Sequence, residues 1–155
     1  YTPNTRQFHI TLFICGFLTE QNPVLDDDFS IEKMYQHIQY LTDNSQNKFQ
    51  LKTGRINSFE SALFVEIIDE NGILLKLRHL LGQSCDEIAP LDYCPHLTLG
   101  LFHQDFNSDL IFNRINSIEQ KRFEFSVDQL TFGTYNAKIL QGQLYPFHQF
   151  QLGDV

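Results

Sequence analysis

Tyr93-Cys94-Pro95-His96-Leu97-Thr98-Leu99-Gly100 decides how this chain is read, because Phe8-His9-Ile10-Thr11-Leu12 repeats its centre. In both places a histidine is followed by a large apolar residue, a threonine and a leucine. Alternation with β-branched content reads as a strand. Successive strand side chains point to opposite faces, so His9 and Thr11 share one face while Ile10 and Leu12 share the other. The same holds for His96 and Thr98 against Leu97 and Leu99. Each segment presents an imidazole and a hydroxyl on one side and fills a core with the other. One such motif is weak evidence. Two copies, 87 positions apart, point to a site made by two matching halves.

Each motif opens the same series of elements. Phe8 to Phe17 reads as the first strand, after a polar lead-in from Tyr1 to Gln7. Asn22-Pro23 and Asp26-Asp27-Asp28 mark a loop and a helix start, the carboxylates complementing the helix dipole. Ile31, Met34, Tyr35, Ile38 and Leu41 follow helical spacing, which predicts a helix over about 30–42. Strands follow from Phe49 to about Ser58 and from Leu63 to Asp69, linked as a hairpin. Ile73, Leu74, Leu77, Leu80 and Leu81 form the stripe of a second helix ending near Gly82. After the loop Ser84–Leu91, the second histidine strand runs to about Phe102. Asn107 or Ser108 caps a third helix that buries Ile111, Ile115 and Ile118. Phe123, Phe125 and Val127 begin a strand continued by Leu130 and Phe132. A turn covers Gly133 to Asn136, and Ile139 to Phe147 reads as the last strand. Lys48-Phe49-Gln50-Leu51 matches Arg122-Phe123-Glu124-Phe125 in its place in each half. This is a duplicated supersecondary unit, not a short-period repeat. A pseudo-twofold arrangement brings the two histidine faces together across a cleft.

The 155 residues, 42% apolar with 15 Phe and 6 Tyr, suit one folded domain. No apolar run reaches the length that spans a bilayer, and no signal-peptide pattern is visible. Eleven basic against 19 acidic residues leave a formal net charge of −8. A long nucleic acid tracked through its phosphates calls for a basic groove, so the expected partner is a small nucleotide or an RNA terminus, with no long strand and no membrane. Three cysteines, Cys15, Cys85 and Cys94, show no CxxC and no zinc-like spacing. They read as buried thiols of a cytoplasmic protein. The oligomeric state is left open, with a monomer as the expectation.

Two facing histidines divide a reaction, the neutral ring taking a proton and the charged ring giving one. A phosphodiester needs that division, since its nucleophile loses a proton while its leaving oxygen gains one. The threonine hydroxyls then bond the non-bridging oxygens as charge develops. No metal or other cofactor is called for. A zinc pair is the rival chemistry, but neither strand carries an acidic residue on the histidine face, and threonine is a poor zinc ligand. A lone histidine is ordinarily a packing residue, and the repeated His-x-Thr context is what reverses that judgement. His37, His79, His103 and His148 lie outside it and read as surface or packing residues, with His103 the one placed to touch a phosphate. Phe13 and Phe102 fall on the histidine faces by the period-2 count, and Tyr93 and Tyr135 reach from loops. These aromatics are the candidates for stacking on a base, and a core role is as good a reading for each.

His9-Ile10-Thr11-Leu12 and Pro95-His96-Leu97-Thr98-Leu99 resemble the paired motifs of the 2H phosphoesterase superfamily, the LigT-like or 2′-5′ RNA ligase-like proteins. The order of elements resembles it too, over nearly the whole chain. The resemblance implies an α+β, bilobal LigT-like fold, two pseudo-symmetric lobes of antiparallel sheet and helices around a central cleft. It implies metal-independent hydrolysis of a 2′,3′-cyclic phosphate or a 2′-5′ linkage. His9 would protonate the leaving oxygen, His96 would activate water, and Thr11 and Thr98 would hold the phosphate. Family members carry a strand and a helix before the first motif, where eight residues precede His9 here. The expectation is that this start is missing from the sequence or that its edge strand is supplied otherwise. Many bacterial members carry a basic residue just after the second motif, where Gly100-Leu101-Phe102 stands here. That weighs against an RNA cyclic phosphodiesterase while leaving phosphoester chemistry intact. The alternatives are a non-catalytic module that binds a nucleotide or RNA end, and a hydrolase of a non-nucleotide cyclic phosphate.

Overall fold

The computed structural model describes residues 6–20, 22–44, 46–88 and 92–153. The first five residues of the lead-in, Ser45 in the polar turn and 89–91 of the loop before the second motif lie outside the described residues. The architecture is α+β. A four-stranded antiparallel sheet holds β3 (Phe49–Ser58), β4 (Ala62–Ile68), β5 (His96–Leu101) and β6 (Glu124–Val127) in the order β5-β4-β3-β6. β7 (Gln129–Thr134) and β8 (Tyr145–Gln151) form a separate antiparallel hairpin, while β1 (Phe17–Thr19) and β2 (Asp28–Ser30) pair in parallel. Three helices complete the described residues: α1 (Ile31–Asp43), α2 (Ile73–Leu81) and α3 (Ser108–Asn116).

The core follows from the alternation. Leu51 on β3 and Ile67 on β4 face Leu41 of α1 and Leu74, Leu77 and Leu81 of α2. Ile10, Leu12 and Leu97, the apolar alternates of the two histidine motifs, pack against that cluster. Their own alternates, His9, Thr11, His96 and Thr98, are therefore turned away from it. α1 starts where expected, with the Ser30 hydroxyl accepting from the Lys33 amide at 3.2 Å.

Two pairings carry the duplication into three dimensions. Ile10 bridges Leu97 in antiparallel fashion, and Leu51 pairs with Phe125 across β3 and β6. In both pairs each residue meets its own counterpart from the other half. An antiparallel pair of equivalent residues is what a local twofold axis produces, so the matched sequences are related by a pseudo-twofold.

Five expectations are corrected. The strand expected over 8–17 is regular nowhere before Phe17. Its first part makes the single bridge at Ile10, and Gly16, at φ 128°, brings the backbone close under the Asp27 carbonyl just before β1 begins. The acidic run does not serve the helix dipole through Asp28, whose carboxylate instead accepts from the Val24 and Leu25 amides at 2.9 and 3.0 Å. Ile118 lies beyond α3 and is exposed, because only Ile115 of the three expected residues is fully buried. Leu130 and Phe132 do not continue β6 but belong to β7 in the hairpin. The last strand starts at Tyr145, since Ile139 to Gly142 forms turns that leave Leu140 in solvent.

Candidate active site

An antiparallel register carried outward from the Ile10–Leu97 bridge sets His9 opposite Thr98 and Thr11 opposite His96. Directly opposed residues share a face. A cavity of about 140 Å³ opens there, lined by His9, Thr11 and Thr98 with Arg6, Gln7 and Gln141. His96 flanks this group on β5 without lining the cavity itself.

The two histidines are held alike. Nδ1 of His9 lies 2.9 Å from the carbonyl oxygen of Gln7, and Nδ1 of His96 lies 2.7 Å from that of Cys94. Each ring reaches back to the carbonyl two residues before it. A carbonyl only accepts, so Nδ1 carries the proton in both rings. In the neutral tautomer Nε2 then bears the lone pair, and when the ring is charged Nε2–H is the donor left over. His96 is further wedged edge-on against Phe59 and Phe64, with ring centroids 5.0 and 5.4 Å away. Glu66 stands opposite it on β4, where a bulge in β3 lets the carboxylate accept from the Arg55 amide and the Asn57 side chain.

The first motif lacks a sheet ladder, so its main-chain groups need other partners. Arg78 of α2 donates to the Leu12 carbonyl at 2.6 Å and pairs with Glu87. Glu87 accepts from the Ile14 amide at 2.9 Å, and the Tyr93 hydroxyl donates to the Thr11 carbonyl at 3.2 Å. The Arg78 guanidinium lies 4.1 Å from the centre of the Tyr93 ring. Burial pushes the Tyr93 hydroxyl up to about 12, so it stays a neutral donor. These contacts fix the backbone on either side of the His9–Thr11 face.

Sequence reasoning passed over the cavity's other walls. Arg6 donates through Nε to the Gly142 carbonyl at 3.0 Å, and its guanidinium lies 4.2 Å from the centre of the Tyr135 ring. The Gln7 side chain makes a paired bond with the main chain of Leu144, at 3.0 and 2.9 Å. Gln141 is the only non-glycine among the described residues with positive φ, at 55°. Strained backbone of this kind clusters at binding sites. Arg6 brings a basic group to this cavity from the start of the chain, where none follows the second motif. Among the described residues no cluster of His, Cys, Asp and Glu has the makings of a metal centre.

The model of the 2′-5′ RNA ligase superfamily matches residues 3–138. The chain belongs to that superfamily, the 2H phosphoesterases. No curated protein matches it closely enough to count as a relative. The superfamily acts on RNA or nucleotide ends, and membership carries an enzyme of the phosphoesterase type with a small substrate. No helix among the described residues is long and apolar enough to cross a membrane.

Within this 2H chain the aromatic candidates separate. Phe13 packs against the core and meets buried His37 edge-on, its ring centre 5.9 Å away, so it does not face the cavity. The period-2 count fails there because the alternation holds only as far as Leu12, after which Phe13 also packs on the core side. Tyr93 sits behind the motif as part of its support. The count also fails at Phe102, because β4 pairs Phe64 with Thr98 and Leu63 with Gly100. The unpaired Leu99 shifts the alternation by one. Phe102 and His103 both lie beside Phe106, each with ring centroids 5.7 Å from it. Tyr135 reaches the site through Arg6. Of the thiols expected to be buried, Cys15 and Cys85 are half-buried and Cys94 is exposed.

Proposed function

We propose that this chain is a single-domain, metal-independent phosphodiesterase that opens a 2′,3′-cyclic phosphate or cleaves a 2′-5′ linkage at a nucleotide or RNA end. The observation that carries it is the matched pair of Nδ1–carbonyl hydrogen bonds, which leave Nε2 of both His9 and His96 for proton transfer. His96 takes a proton from the attacking water as its oxygen bonds to phosphorus. The bond from phosphorus to the leaving ribose oxygen breaks, and that oxygen takes the proton from Nε2 of charged His9. Thr11 and Thr98 donate to the non-bridging oxygens, and Arg6 lies on the same cavity wall to offset their charge. In the reverse direction the two histidines exchange roles.

The test is turnover in EDTA of 2′,3′-cyclic mononucleotides, 2′-5′ and 3′-5′ dinucleotides and cyclic dinucleotides. One class turns over, and His9→Ala and His96→Ala each lower kcat by about 10²–10⁴-fold, the range of general acid–base catalysis. Binding without turnover in the unmodified protein replaces the enzyme with a nucleotide-end-binding module.

A further inference from the structure

A second cavity, of about 250 Å³, opens between the β3–β4 turn, the end of β5 and the start of α3. Phe59, Phe102, Phe106 and Phe112 line it. Phe59, Phe106 and Phe112 are 39%, 40% and 42% exposed, an apolar cluster of the kind that marks a binding surface. Phe59 is held in place. It stacks on buried Phe64 with centroids 4.0 Å apart and meets His96 edge-on at 5.0 Å. One side chain therefore borders both this cavity and a histidine of the candidate site. The volume falls below the roughly 300–1,000 Å³ of drug-sized ligand sites. It suits one planar ring system and is too small for a peptide helix. Glu60 is among the lining residues, and a carboxylate only accepts hydrogen bonds, so a ring edge that meets it must carry N–H groups.

We infer that this cavity seats the nucleobase of the substrate, with phenyl rings against its faces and Glu60 accepting from its N–H edge. The inference rests on the phosphodiesterase reading and adds that the substrate bears a base, read on the His96 side. Guanine, with adjacent N–H groups, suits Glu60 better than uracil, whose one ring N–H lies between two carbonyls.

Isothermal titration of guanosine 2′-monophosphate and of a base-free ribose phosphate tests it, on the unmodified protein and on Phe106→Ala and Phe112→Ala. The unmodified protein binds the nucleotide at least about tenfold more tightly, within the range of one base–aromatic stack. Each variant loses most of that preference and keeps its affinity for ribose phosphate. Equal affinities in the unmodified protein, or a preference intact in both variants, overturns the base seat. A base preference with no turnover of any phosphodiester upholds the seat and removes the enzyme reading alone. Turnover and binding indifferent to the base remove the seat alone.

Discussion

Nδ1 hydrogen bonds to main-chain carbonyls give His9 and His96 one defined tautomer, and His37 shows the opposite use of the same side chain. His37 is fully buried in α1, with Phe13, Phe29 and Phe132 around its ring and the Cys85 thiol 3.4 Å from Nε2. Burial, with Lys33 nearby, pushes its pKa below the usual 6.5. The folded protein thus holds His37 neutral where the unfolded chain begins to bind a proton. Stability from this residue is full above about pH 6.5 and is lost as pH falls toward its folded value. Thermal melts between pH 7.5 and 5 should show a declining Tm that is flatter in His37→Gln. An equal decline in both proteins would assign the acid sensitivity to other groups.

At the scale of elements, the first motif is the exception that the sequence concealed. Its spacing announced a strand, and the His-x-Thr alternation was legible because two copies agree. What pins the segment was not legible, since Arg78, Glu87 and Tyr93 come from 66 to 82 positions away and follow no period. The Leu99 bulge and the positive φ at Gly16 were hidden for the same reason: pairing partners, not local propensity, set them. The helices fared better, because their apolar stripes and the Asn107 cap are local signals. Arg78 and Glu87 retain only 17% and 11% side-chain exposure, so each leaves a poorly solvated charge if the other is removed. Arg78→Ala should destabilise the fold by about 3–5 kcal/mol, the cost of breaking a buried pair. Urea denaturation measures it. A loss under about 1 kcal/mol would mean that the pair behaves as a surface ion pair.

For the whole molecule, the pseudo-twofold and the net charge act on different ranges. The symmetry sets two equivalent histidine–threonine pairs on one face of adjoining chain segments, joined at the Ile10–Leu97 bridge. The charge of −8 acts over a Debye length, about 30 Å at 0.01 M salt and about 8 Å at 0.15 M. On the proposed reading an anionic substrate is repelled at the longer range and meets the Arg6 charge only at contact. Salt therefore screens the repulsion before it weakens the contact. For a short phosphodiester that the protein turns over, kcat/KM should hold level or rise up to about twofold between those salt concentrations. A protein that grips six or more phosphates loses about 10³–10⁵ in affinity between 50 and 200 mM salt. A steep fall of that kind, measured with the short substrate and with a longer RNA bearing the same end, would mean that a basic track outweighs the acidic surface. A flat profile for both would confine recognition to the terminal nucleotides.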